Sequence, residues 1–105
     1  MASYQVEVTS QVRKEIRRLP GNMRQRVIRT LRALGQEPRP HNSQPLDTAK
    51  AEIELEPGAE LCRIRIASWR VVYLVEEEWK LISVLAAVRK RPPYQYNDLD
   101  ELVGR

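Results

Sequence analysis

Residues 61–75 read L-C-R-I-R-I-A-S-W-R-V-V-Y-L-V. Cys62, Ile64 and Ile66 alternate with Arg63 and Arg65, and beyond Ala67-Ser68 the residues Trp69, Val71, Tyr73 and Val75 share one parity while Arg70 takes the other. A strand sends successive side chains to opposite faces, so residues two apart share a face. The stretch therefore predicts two strands joined by a tight connection at Ala67-Ser68. Its apolar parity suits a covered face, and Arg63, Arg65 and Arg70 project from the uncovered one. Cys62 and Tyr73 fall on the covered side and read as core, not as reactive groups.

Working outward, the charged turn Glu76-Glu77-Glu78 leads into a third apolar run, Trp79–Val88, which completes an antiparallel meander. Arg89, Lys90 and Arg91 close that run, just before P-P-Y-Q-Y. Three neighbouring strands can thus gather cations on one surface. Guanidinium groups are planar, permanently charged and matched to phosphate oxygens. With tyrosines close by, such a face points to an RNA or DNA backbone.

Toward the N-terminus, Tyr4-Gln5-Val6-Glu7-Val8 alternates as a first strand, and Thr9 or Ser10 can cap the helix that follows. Val12, Ile16 and Leu19 form that helix's apolar stripe; Pro20-Gly21-Asn22 breaks it. A second stripe of Met23, Val27, Ile28, Leu31 and Leu34 ends at Gly35, which suits a helix C-terminus. Two amphipathic helices with a three-residue break form an antiparallel hairpin that needs a sheet to cover it. From Glu37 to Leu46, three prolines in ten residues predict a loop. Ile53 and Leu55 alternate with Glu52, Glu54 and Glu56 as a short strand before the Pro57-Gly58 turn. The tail from Tyr94 is polar and acidic, with one helical turn expected at Leu99–Val103.

The chain has 105 residues and reads as one domain, 1–105. Its net charge of +4 is unevenly spread: residues 1–40 carry nine Lys/Arg against three acids, and residues 41–60 carry one against five. That asymmetry favours a polyanionic or an acidic protein partner. A single cysteine forms no internal disulfide and nothing resembles a signal peptide, so a reducing cytoplasm is expected. No apolar run approaches the roughly 20 residues of a membrane helix. One histidine and one cysteine are too few for a protein-held zinc site, and no D-x-D-type cluster argues for another metal. His41, in the proline-rich loop, reads as a surface residue.

The order strand, helix, helix, four strands resembles the RelE/ParE superfamily of bacterial toxins. The resemblance is carried by the leading Y-x-V-x-V, K-E-I-R-R-L-P at residues 14–20, P-R-P at 38–40, the R-I-R-I / W-R-V-V-Y pair and the closing basic-aromatic segment. It spans about residues 3–96. It implies an α+β fold, β-α-α-β-β-β-β, with an antiparallel sheet and a two-helix hairpin packed on one face. It also implies a toxin made beside an acidic antitoxin that neutralises it. RelE-type members cleave messenger RNA in the ribosomal decoding site; ParE-type members poison DNA gyrase without cleaving RNA. Retention of the arginines favours the RelE type, a nuclease that needs neither metal nor cofactor.

Carried over by position, Arg70 matches the arginine that faces the scissile phosphate, and Arg91 the one that closes the last strand. Tyr94 or Tyr96 stands where a catalytic or base-stacking tyrosine is expected, Tyr94 being taken as the catalytic one. Arg63 and Arg65 match paired RNA-binding cations, joined by Arg89, Lys90 and Tyr96. The chain departs from the family where the common G-H-R becomes V-R-K-R and two prolines precede Tyr94. The alternative for Arg63, Arg65 and Arg70 is cross-strand ion pairing with Glu52, Glu54 and Glu56, worth only about 0.2–1 kcal/mol each.

Overall fold

The alternation in residues 61–75 is realised as two paired strands. The computed structural model describes residues 3–48, 54–67 and 69–89, with side chains as far as residue 86. Its elements are β1 (Gln5–Val8), α1 (Ser10–Arg17), α2 (Gly21–Leu34), β2 (Ser43–Pro45), β3 (Ala59–Ile66), β4 (Trp69–Glu76) and β5 (Leu81–Arg89). They form one five-stranded sheet in the order β1-β5-β4-β3-β2. The meander β3-β4-β5 is antiparallel as the turns require, and β2 joins β3 antiparallel. β1 instead runs parallel to β5, so the sheet is mixed. Parallel neighbours need a long crossover, and the helical hairpin supplies the start of one.

Each helix boundary has a local cause. Thr9 caps α1, its Oγ1 accepting the Val12 amide at 3.2 Å. At the other end Arg24 Nη2 donates to the carbonyls of Arg17 and Leu19, at 3.3 and 3.1 Å. A side chain of α2 thereby satisfies carbonyls that the end of α1 leaves open. Gly35 follows α2 as expected, but with a right-handed φ of −62°. Its glycine is required by space: a Cβ there would lie 2.9 Å from the Tyr4 carbonyl oxygen and 3.3 Å from that of Arg32. The Tyr4 amide also donates to the Gly35 carbonyl at 2.7 Å, locking the start of the chain to the end of α2. Gly35→Ala should cost about 1–3 kcal/mol, the usual penalty of overpacking against backbone, seen as a lowered thermal midpoint.

The core lies between the hairpin and one face of the sheet. Val12, Ile16, Leu19, Val27, Leu31 and Leu34 meet Cys62, Ile64, Ile66, Val71, Tyr73, Val75, Ile82 and Val84. Cys62 and Tyr73 are thus buried as expected, and burial pushes the Cys62 thiol and the Tyr73 phenol each up to about 12. The opposite face carries a smaller apolar cluster of Leu61, Val72, Leu74, Leu85 and Ala86, against which Leu46, Leu55 and Ala59 pack. That face is therefore partly covered, not bare.

Several boundaries differ from the sequence reading: α1 ends at Arg17, before Leu19, and α2 already takes in Gly21 and Asn22 of the expected break. The edge strand beside β3 is Ser43–Pro45, inside the proline-rich loop. Glu54–Glu56 are not in a strand, and residues 49–53 lie outside the described ones. The prolines of that loop allow this because an edge strand leaves one side of its backbone unpaired. β5 begins at Leu81, two residues later than expected, because Lys80 sits at a φ of 48° and keeps Trp79 and Lys80 in the turn. The expected helical turn at 99–103 lies outside the described residues.

Candidate nucleic-acid interface

Parity places Arg63 and Arg65 on the sheet face opposite the hairpin, as the alternation requires. Cα register sets Arg65 directly opposite Arg70 across β3 and β4, and Arg63 opposite Val72. Three arginines thus stand on one face near the β3–β4 connection. Like charges directly opposed on a sheet are unfavourable, so an anion beside the pair would be favourably held.

Their surroundings differ. Arg65 is exposed, Arg63 is half-buried and its Nη2 donates to Gln44 Oε1 at 2.5 Å. Arg70 is only 7 % exposed, which corrects the expectation of a freely projecting side chain. The reason is its place in the central strand β4, flanked by β3 and β5, where neighbours crowd it from both sides. It is not beneath the hairpin. Arg89 stands in register with Trp69 at the end of β5, and its side chain lies outside the described ones. Lys90, Arg91, Tyr94 and Tyr96 all lie outside the described residues, and with them the expected convergence of Arg70 with Arg91 and Tyr94.

Arg63 and Arg65 line one cleft of about 390 Å³, shared with His41, Asn42, Gln44 and Ala67. Backbone pairing builds its second wall. The Asn42 side-chain amide donates to the Arg65 carbonyl at 3.2 Å, the Ser43 amide and hydroxyl both donate to the Pro40 carbonyl, and the Leu46 amide donates to the Leu61 carbonyl at 2.8 Å. Ala67, at a φ of 54°, bends the chain at the cleft's end. His41, Asn42 and Gln44 were invisible as site residues, because only the β2–β3 pairing brings them beside the arginines. Beside Arg63 the neighbouring strand places Gln44; Glu54 and Glu56 are not in a strand, and Glu52 lies outside the described residues.

The loop that presents His41 is pinned from two sides. The Tyr73 hydroxyl donates to the Pro38 carbonyl at 2.6 Å. Arg39 bonds Glu60 at 2.6 Å and Glu77 at 3.0 Å, and Glu77 also accepts the Tyr4 hydroxyl at 2.6 Å. The Arg39 guanidinium holds the Glu60 carboxyl below its usual range; the Tyr4 hydroxyl, then Arg39, does the same for Glu77. A depressed carboxylate stabilises the fold above its unfolded pKa, and this is lost as pH falls through the folded one. Thermal midpoints should therefore drop as pH falls below about 4, the ordinary glutamate range. Arg39→Met should weaken that dependence, which a melting series from pH 7 to pH 3 would reveal.

A second surface lies between the hairpin and β1. It is a groove of about 710 Å³ with Val6, Val8, Ile16, Ile28 and Leu31 in its lining and Arg13, Arg17, Arg24 and Arg32 alongside. Among the described residues no three His, Cys, Asp or Glu side chains come together as a metal site. No helix among them is long and apolar enough to cross a membrane.

The fold is similar to that of several solved structures. The archaeal RelE of a RelE–RelB complex from Pyrococcus horikoshii OT3 superposes with a TM-score of 0.73 at 26% identity, covering 86% of this chain and 98% of that one. The chain is assigned to the RelE-like superfamily. A RelBE2 toxin–antitoxin complex from Mycobacterium tuberculosis matches at a TM-score of 0.63 and 21% identity, over 83% of this chain and 98% of that one. The isolated RelE toxin of E. coli matches at 0.60 and 18%, over 96% and 99%. No family model matches the sequence, and no curated protein sequence does. The RelE-like chain thus shares its element order and α+β architecture with structures whose sequences have diverged widely. One of those relatives is archaeal, so membership does not by itself imply a bacterial source.

Proposed function

We propose that this RelE-like protein is the toxin of a toxin–antitoxin pair and an endoribonuclease that cuts translated messenger RNA at the ribosome. The observation that carries the reading is the grouping of Arg63, Arg65 and Arg70 on the sheet face away from the hairpin, two of them in an open cleft. A gyrase poison acting through its helices has no need of that grouping. In cleavage without metal, the ribose 2′-hydroxyl attacks the adjacent phosphorus and the 5′-oxygen departs. The protein's tasks are to align that attack and to stabilise charge on the phosphorane. Arg65 and Arg63 grip phosphate oxygens, and Arg70 adds fixed positive charge from the neighbouring strand, opposite Arg65. Arg91 assists the departing oxygen, Tyr94 stacks on a base or orients the hydroxyl, and Arg89, Lys90 and Tyr96 bind flanking RNA.

The antitoxin partner follows from the RelE–RelB complexes among the relatives and from the charge of the hairpin. An acidic amphipathic segment that orders on binding suits the arginine-rimmed apolar groove beside β1. Brief expression in cells, with 5′ ends of messages mapped and plasmid supercoiling followed in parallel, tests the reading. New ends within codons are expected. Intact messages with blocked supercoiling would replace this function with gyrase inhibition.

A further inference from the structure

We infer that His41 is the proton acceptor for the attacking 2′-hydroxyl, an inference that rests on the nuclease reading and adds a residue to its site. Phosphate-binding arginines leave one task undone, since a guanidinium with a pKa above about 12 does not shuttle protons near neutrality. Imidazole is the side-chain class that does so between pH 5 and 8. The chain has one histidine, and the fold delivers it to the cleft lined by Arg63 and Arg65. Its placement is built, not incidental. Tyr73 and Arg39 anchor the loop just before it, and Asn42 bonds the Arg65 backbone just after it.

His41 is exposed on that wall; among the described residues Arg63 and Arg65 are the charged groups facing the same space, with Arg70 opposite Arg65, and Asn42 and Gln44 are neutral. A cleft of about 390 Å³ is within the range that holds a small ligand. In the step, the His41 imidazole takes the 2′-hydroxyl proton while the O2′–P bond forms. The P–O5′ bond breaks, leaving a 2′,3′-cyclic phosphate. The 5′-oxygen takes a proton from water, and the imidazolium returns its own to the resulting hydroxide. Atoms and charge balance without a co-reactant.

The test uses the purified full chain, a defined message on programmed ribosomes, and the variants His41→Ala and His41→Gln. Both should melt like wild type and bind the programmed ribosome equally, yet cleave at least about 10²-fold more slowly. The fall in rate toward acid pH should vanish in both, and added imidazole should restore part of the rate to His41→Ala alone. Wild-type rate and pH profile in His41→Ala would overturn the role of His41 and leave the nuclease standing. A slow variant that keeps the acid limb and ignores imidazole would likewise overturn it. Absence of cleavage by wild type itself would remove both this step and the reading beneath it.

Discussion

Alanine at both Arg63 and Arg65 is expected to slow message cleavage by on the order of 10²–10³-fold or more, the usual loss when a transition-state charge contact is deleted. The fold should survive. Arg65 is exposed, and Arg63 gives up one hydrogen bond to an exposed glutamine, a loss of about 1 kcal/mol. Far-ultraviolet circular dichroism and the melting midpoint will separate that small cost from the kinetic one. Lysine at both positions is the informative control. It keeps the charge but not the planar fork, so binding should persist while turnover falls. Arg70→Ala should act in the same direction, but Arg70 is nearly buried and its removal also disturbs packing. The paired substitution on β3 is therefore the cleaner measurement. Cleavage by the double-alanine protein at the wild-type rate would dismiss the arginine face as the reaction site.

Tyr73→Ala should have the largest effect on stability, about 3–5 kcal/mol. The ring is fully buried in the central strand, packed among residues of the main core. Small domains have only about 5–15 kcal/mol in total, so the midpoint should fall on the order of 15 °C or more. Tyr73→Phe separates two contributions. The ring stays, but the Pro38 carbonyl loses the hydroxyl that reaches it at 2.6 Å. An acceptor deprived of its buried partner costs about 1–3 kcal/mol. Because that bond holds the loop bearing His41, cleavage by Tyr73→Phe should drop further than its stability alone accounts for. Equal stability of Tyr73→Phe and wild type, by chemical denaturation, would remove the anchoring role.

Much of the fold was legible because its signals are local. The alternation at Arg63–Ile66 and Trp69–Val75, the stripes at Val12–Leu19 and Met23–Leu34, and the Thr9 cap each need only neighbouring residues to be read. The site was legible by half. Parity alone put Arg63, Arg65 and Arg70 on one face, but parity cannot say how deeply a side chain lies, and Arg70 proved nearly buried. The edge strand at Ser43–Pro45 escaped because its signal is pairing with β3, which outweighs a proline content that argues against strand. With it went His41, Asn42 and Gln44.

By itself, then, the sequence determined which residues face which side: strand and helix periods are properties of the backbone, and apolar burial chooses one face for the core. Only the tertiary structure decided which strands are neighbours. The parallel docking of β1 on β5, the seating of the 43–45 segment on β3 and the meeting of His41 with Arg63 and Arg65 all join residues distant along the chain. Such contacts depend on the closure of the whole sheet, and no local pattern encodes them.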